Sequence, residues 1–228
     1  MRLPGDDARK ILVVLRGVTG DPLEIVDSGG RIFAAALVVD GTFAEASLGA
    51  QIAAPPPTVL EISLAQGIPK GAKMDYIVEK ATELGLARIV PFVAARTVGD
   101  GERAGKLERW RRLVKTAAQQ CGRADVPEIA LPIGFAALVQ SFAAYDLVLV
   151  PWELAEPVPL RERLPALLTA RARSVLVVIG PEGGFSQDEA HAAESAGAHL
   201  VSLGNRILRT ETAGLIVAGA LRYQSGDL

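Results

Sequence analysis

The sequence predicts an α/β protein: a parallel sheet covered by helices, preceded by a small β-rich domain. Three observations predict it. From residue 58 onward, short apolar runs rich in β-branched residues alternate with helix-length stretches. Before residue 55 the runs are short and separated by glycine turns. Between the two, Ala54-Pro55-Pro56-Pro57 makes an extended, semi-rigid spacer, which sets the expected domains at 1–57 and 58–228.

The small domain opens with a helical stretch, Asp6 to Leu15. Leu23 to Asp27, Arg31 to Val39 and Glu45 to Ile52 then read as strands joined by Ser28-Gly29-Gly30 and Asp40-Gly41. A module of this size is marginal alone. In the second domain the expected order begins with strand Val59 to Ala65, helix Lys70 to Leu84, strand Arg88 to Val93 and helix Lys106 to Gln120. Helix Phe135 to Phe142, strand Asp146 to Val150 and helix Leu160 to Ala170 follow. Strand Arg173 to Ile179 is apolar enough to be buried on both faces. Ser186 with Glu189 makes a capping box that starts a helix, and Gly197 ends it. Strand His199 to Leu203 leads to a last helix, Glu211 to Gln224, for which Thr210 is the expected cap.

Composition narrows the class. Half of the 228 residues are hydrophobic, enough for a full core, yet no apolar run approaches the ~20 residues of a membrane-spanning helix. The N-terminal segment Met1 to Asp7 has no signal-peptide apolar stretch. Cys121 is the lone cysteine, and His191 and His199 are isolated, on a helix surface and at a strand start. A cytoplasmic protein without disulfide or metal is expected. The net charge of −2 does not announce a nucleic-acid binder. Its distribution is more telling. Between Arg103 and Arg123 seven basic residues face one acid, Glu108. On a helical wheel Leu107, Trp110, Val114, Ala118 and Cys121 share one side, and Arg109, Arg111, Arg112 and Lys115 the other.

Two loops at the ends of strands carry the chemistry. The first reads Ile179-Gly180-Pro181-Glu182-Gly183-Gly184-Phe185-Ser186, the second Leu203-Gly204-Asn205-Arg206-Ile207-Leu208-Arg209-Thr210-Glu211-Thr212-Ala213. Glycines at the carboxyl ends of parallel strands let a ligand approach the backbone, and such crevices bind nucleotides or cofactors. The second loop carries more charge than a connector needs, since a connector requires only a capping residue or two. The residues alone leave the ligand open.

The paired loops resemble the signature of the RsmE family, bacterial small-subunit rRNA (uracil-N3)-methyltransferases of the SPOUT class. Further segments resemble the family as well: Pro69-Lys70-Gly71-Ala72-Lys73-Met74 through Glu79-Lys80-Ala81-Thr82-Glu83-Leu84-Gly85, Arg96-Thr97, and Arg109-Trp110. So do Ala117-Ala118-Gln119-Gln120-Cys121-Gly122-Arg123 with Val126-Pro127-Glu128-Ile129, and Pro151-Trp152-Glu153. The resemblance implies a trefoil-knotted SPOUT domain, a PUA-like RNA-binding domain ahead of it, and a homodimer. It also implies S-adenosylmethionine as cofactor and 16S rRNA or the small ribosomal subunit as partner. Family members carry one more short N-terminal strand, whereas this chain begins just before Gly5-Asp6-Asp7-Ala8, so the small domain is expected to lack it.

On that resemblance the cofactor pocket comprises Val150 and Pro151; Gly180, Glu182, Gly183 and Gly184; Leu203, Gly204, Ile207 and Leu208; and Ala213. Glu182 orients the loop or the ribose. Arg209 contacts uracil or phosphate and stabilises developing negative charge. Glu211 has two readings, proton acceptor or an acid placed favourably at a helix N-terminus. Arg9, Lys10 and Arg16 of the small domain, and Lys70, Lys73, Arg109, Arg112 and Arg206 of the large one, are the expected RNA contacts. Two rivals fit less well. A SPOUT ribose 2′-O-methyltransferase carries a Ser-Leu-Asn-like third loop, which Arg206-Ile207-Leu208-Arg209-Thr210-Glu211 does not match. A non-catalytic RNA-binding assembly protein needs no intact cofactor pocket.

Overall fold

The computed structural model describes residues 1–41, 43–53, 58–97, 103–155 and 159–228, without the side chains of 103 and 104. The proline spacer expected at 54–57 lies outside the described residues. The chain divides into two compact units, Met1–Pro57 and Thr58–Leu228.

In the first unit an antiparallel meander follows a short helix, α1 (Gly5–Arg9). Its strands are β1 (Pro22–Val26), β2 (Ile32–Asp40) and β3 (Phe43–Ile52). The turn between β1 and β2 is held by Asp27, whose carboxylate accepts the N–H groups of Gly29 and Arg31. The helix expected through Leu15 instead widens after Arg9 into a π-turn, Lys10–Val14, in which Leu15 donates to the Lys10 carbonyl. Leu37, Ala44 and Ala46 form the core with Leu3. The N-terminus makes an isolated bridge to β3, Arg2 to Glu45: Leu3 donates to the Ala44 carbonyl and Ala46 to that of Met1.

The second unit opens with β4 (Glu61–Gly67), α2 (Lys73–Glu83), β5 (Arg88–Val93) and α3 (Arg103–Cys121). Two strands of two residues each, β6 (Glu128–Ile129) and β7 (Ile133–Gly134), then precede α4 (Phe135–Gln140). After these come β8 (Leu147–Pro151), α5 (Leu160–Leu167), β9 (Ser174–Ile179), α6 (Gln187–Ser195), β10 (His199–Val201) and α7 (Thr210–Ser225). All strand pairs are parallel, in the order β10-β8-β9-β4-β5-β6, with β7 also on β5.

Alternation along each strand sends side chains to both faces, so the central strands are apolar throughout. Leu64, Val177, Ile179 and Leu149 join one core with α2, α3 and α7. Val178, Val148, Val150 and Phe92 join the other with Leu138 of α4 and Ala193 of α6. The order places β9 between β4 and β8, so the carboxyl ends of those strands lie side by side. A crevice at that edge is where doubly covered parallel sheets take ligands.

Some boundaries differ from expectation for physical reasons. α2 starts at Lys73 rather than Lys70, because Gly71 sits at φ +65 and the Lys70 N–H is drawn to Glu182. β10 stops at Val201, where the Ser202 carbonyl accepts from Leu160 instead. Thr210 is not the cap of α7: Arg209 holds that position, and the Thr210 hydroxyl turns inward. Cys121, expected on the apolar side of α3, is exposed where that helix ends.

Candidate functional site

The cleft is built first by the loop after β9. Gly184 takes φ +64 and donates to the Pro181 carbonyl, closing a tight turn. Ser186 then starts α6 with the expected capping box: its hydroxyl accepts from Glu189, and the Glu189 carboxylate accepts from the Ser186 N–H. The other oxygen of buried Glu189 accepts from Ala95 at 2.8 Å. Arg96 donates to the Gly183 carbonyl at 2.9 Å. The loops after β5 and β9 are thereby tied together. Phe185 stacks on Phe92 below them, with rings 6.2 Å apart.

A side chain at Gly183 would meet Arg96 Cβ at 2.9 Å, and one at Gly184 would meet Glu153 Oε1 at 2.9 Å. Crowding against Arg96 disfavours a side chain at Gly183, the positive φ favours glycine at 184, and both leave backbone as the wall of the cleft. Pro151 ends β8 and Glu153 follows it, Ile207 to Arg209 follow β10, and Ala213 closes the side from α7. The cavity they enclose is about 540 Å³, inside the ~300–1,000 Å³ range of small-molecule sites.

A buried network anchors the base of the cleft. The Thr210 hydroxyl donates to the Gly180 carbonyl at 2.6 Å and accepts from Gln66 Nε2 at 2.8 Å. Gln66 is fully buried, and its Nε2 also donates to the Gly67 carbonyl. Gln66 on β4, Gly180 after β9 and the first residue of α7 thus share one set of bonds.

The mouth carries an ionic cluster. Lys73 Nζ lies 2.8 Å from Glu182 Oε1 and 3.6 Å from Glu211 Oε2, and an Arg209 nitrogen lies 3.8 Å from Glu211 Oε1. The hydrogen bond to Glu182 pushes the Lys73 ammonium above its usual range. Burial would raise the Glu182 carboxyl, but bonds from Lys73 and the Lys70 backbone outweigh it and hold it low. Glu211 Oε2 is buried without a hydrogen-bond partner.

Of the residues expected at a cofactor pocket, Pro151, Gly180, Glu182, Gly183, Gly184, Ile207, Leu208 and Ala213 line this cleft, as does Arg209. The expected catalytic residue Glu211 is not part of the wall and meets it through Lys73 and Arg209, and three of the expected pocket residues stand outside it. Val150 points into the core, Leu203 packs against the other core, and exposed Gly204 takes φ +97 to turn the chain. Of the expected RNA contacts, Lys73 lines the cleft, Arg109 pairs with Asp75, Arg112 and Arg206 are exposed, and Lys70 engages Glu182 through its backbone. Arg9, Lys10 and Arg16 belong to the first unit. Glu153, Gln66 and Thr210 were not expected here. The Pro151-Trp152-Glu153 segment and the second glycine loop carried Glu153 and Thr210 without singling them out, whereas Gln66 enters only through long-range contacts. Among the described residues no cluster of His, Cys, Asp or Glu suits a metal, and no helix is long and apolar enough to cross a membrane.

Comparison with known proteins places the chain. The family described as RNA methyltransferase domain matches residues 56–222. The ribosomal RNA small subunit methyltransferase E of Mycobacterium tuberculosis is 35% identical over 227 residues, covering 95% of this chain and 84% of that protein. The Bacillus subtilis protein of the same name is 35% identical over 171 residues, 73% of this chain and 67% of its own. The solved ribosomal RNA small subunit methyltransferase E of Neisseria gonorrhoeae, bound to S-adenosyl methionine, superposes with a TM-score of 0.86 at 29% identity, covering 98% and 91% of the two chains. The chain belongs to the RNA methyltransferase family, among the ribosomal RNA small subunit methyltransferases E.

Proposed function

We propose that the protein methylates N3 of a specific uridine in small-subunit (16S) ribosomal RNA, using S-adenosylmethionine. The observation that carries this reading is the glycine-walled cleft with its ionic mouth, in a chain of this family. The cleft fits the cofactor on its own chemistry. Backbone at Gly180, Gly183 and Gly184 permits close approach, Ile207, Leu208 and Ala213 offer apolar walls, and Glu153 suits a cation. When bound, the cofactor supplies an electrophilic methyl group.

The chain's own residues have the remaining work. Uracil N3 attacks only after its proton leaves, so a base and a counter-charge are needed. Glu211 is the proposed proton acceptor, since its Oε2 has no hydrogen-bond partner and is free to take one. Arg209 and Lys73 stabilise the negative charge that spreads onto the uracil carbonyls. Their cationic ends stand on either side of the Glu211 carboxylate. Lys70, Arg109, Arg112 and Arg206 supply phosphate contacts, and the first unit, with Arg9, Lys10 and Arg16, is read as a PUA-like RNA-binding domain.

Two further features belong to the proposal. A trefoil knot is supported by topology: β10 is outermost, yet α7 returns to pack on β4 and β9, past the Pro159–Leu160 segment that pairs with Ser202. A homodimer is supported by the outer face of α7, where Ile216 and Tyr223 are exposed and Gly219 has open space above it. The test is methyl transfer from radiolabelled S-adenosylmethionine to small ribosomal subunits, with nucleoside digestion. N3-methyluridine supports the proposal, a ribose-methylated product transfers it to 2′-O chemistry, and no product contradicts it.

A further inference from the structure

A second cavity, of about 240 Å³, opens beside the first turn of α2. Ile68, Met74 and Trp110 give it an apolar lining, and Lys106 and Arg109 of α3 bring positive charge to it. The segment Pro69–Lys73 separates it from the cofactor cleft. Gly71 and Ala72 line this cavity, Lys73 lines the other, and the Lys70 N–H is bonded to Glu182 at the cleft. The two cavities are therefore one loop apart.

Size and charge select the occupant. The cavity falls below the ~300 Å³ lower end of pockets that enclose whole drug-sized ligands, so it takes a single planar group and leaves an attached phosphate at its rim, beside Lys106 and Arg109. Arg109 is half committed: its Nε and one Nη bond Asp75 Oδ2 at 2.9 and 2.6 Å. Asp75 thus fixes the plane of the guanidinium, and three of its five donors (five less the two used) remain for an anion. Lys106, one turn earlier on the same helix, lines the same cavity. Arg112 lies exposed three residues beyond Arg109 and carries positive charge along the helix.

We propose that this cavity receives the nucleotide adjacent to the target uridine in the RNA strand. Lys106 and Arg109 take its phosphate, and its base sits in the cavity against half-buried Ile68. The proposal rests on the reading of the first cleft as the site of uridine methylation. It assigns recognition of the neighbouring nucleotide to a place separate from the cofactor loops, and it gives Asp75 the task of orienting Arg109.

The full-length protein, saturated with S-adenosylmethionine, is titrated with uridine 5′-monophosphate and with the trinucleotide UpUpU. Wild type is expected to bind the trinucleotide more tightly. Lys106→Ala combined with Arg109→Ala is expected to weaken trinucleotide binding about tenfold or more and to lower its salt slope by about 1, leaving the mononucleotide unchanged. Ala72→Trp, which fills the cavity and keeps its charge, is expected to weaken trinucleotide binding while the salt slope stays close to wild type. Undiminished trinucleotide binding in both variants, or a parallel loss of mononucleotide binding, would overturn the assignment alone. Failure of wild type to bind S-adenosylmethionine, read by calorimetry beforehand, would overturn it together with the functional reading.

Discussion

Lys73 Nζ lies 2.8 Å from Glu182 Oε1, so the first turn of α2 is fastened to the glycine loop after β9, more than a hundred residues away. The same ammonium lies 3.6 Å from Glu211, at the start of α7. One cation therefore holds three elements at the mouth of the cleft.

Lys73→Met is expected to lower the rate of methyl transfer about 10–100-fold, as loss of a charge-stabilising donor does. Its effect on folding stability is expected to be small, because a third of the Lys73 side chain is solvated. The pair is ionised across a wide range. The raised Lys73 contributes below the ordinary lysine value and is lost as pH rises through its raised one. The lowered Glu182 contributes above the ordinary glutamate value and is lost as pH falls through its lowered one. Between about pH 5 and 10 the contact is expected to be constant. Single-turnover rates and thermal melts of the variant across that range are the check.

Gly183→Ala forces a methyl group to 2.9 Å from Arg96 Cβ. The fold is expected to survive, since Arg96 can move, but its bond to the Gly183 carbonyl is lost and the loop shifts. Affinity for S-adenosylmethionine is expected to fall about tenfold, a misplacement effect of order 1.4 kcal/mol, read by calorimetry, with unchanged far-UV circular dichroism.

Thr210→Val keeps shape and removes the hydroxyl that joins Gln66 to Gly180. It leaves a buried donor and a buried acceptor without that partner, at a cost of about 1–3 kcal/mol. A Tm lowered by roughly 2–12 °C is expected, taking ~2–4 °C per kcal/mol for a unit of this size. A Tm equal to wild type would contradict the network.

Asp146 accepts from the backbone N–H groups of Arg173 and Ser174 and from the Ser174 hydroxyl, tying the start of β8 to that of β9. Those bonds hold its carboxyl below the usual range. Its stabilisation is therefore present above the unfolded value, near pH 4, and is lost as pH falls through the lowered folded value. The Tm difference between wild type and Asp146→Asn is expected to be constant above about pH 5 and to shrink below pH 4.

Legibility in the sequence followed the range of the interactions. β5 spans Arg88–Val93 as its apolar run predicts, and the Ser186–Glu189 capping box forms as its spacing predicts. Both are local. β6 and β7 have two residues each, too short to carry a period, and are made by pairing with β5. The two glycine loops announced the cleft, because their residues are contiguous. Lys73 and Gln66, outside those loops, did not announce their places in it, because sheet order alone brings them there. Buried Arg222 is the same case: its guanidinium donates to the carbonyls of Leu60, Leu84 and Gly85, contacts that only the packing of α7 on α2 and β4 creates.

The most direct test is nucleoside mapping of small-subunit rRNA from cells lacking the gene, with and without the gene restored. The account predicts loss of one N3-methyluridine, regained with wild type and not with a Gly183→Trp variant that blocks the cleft. Unchanged base methylation, or loss of a ribose methyl instead, would contradict it.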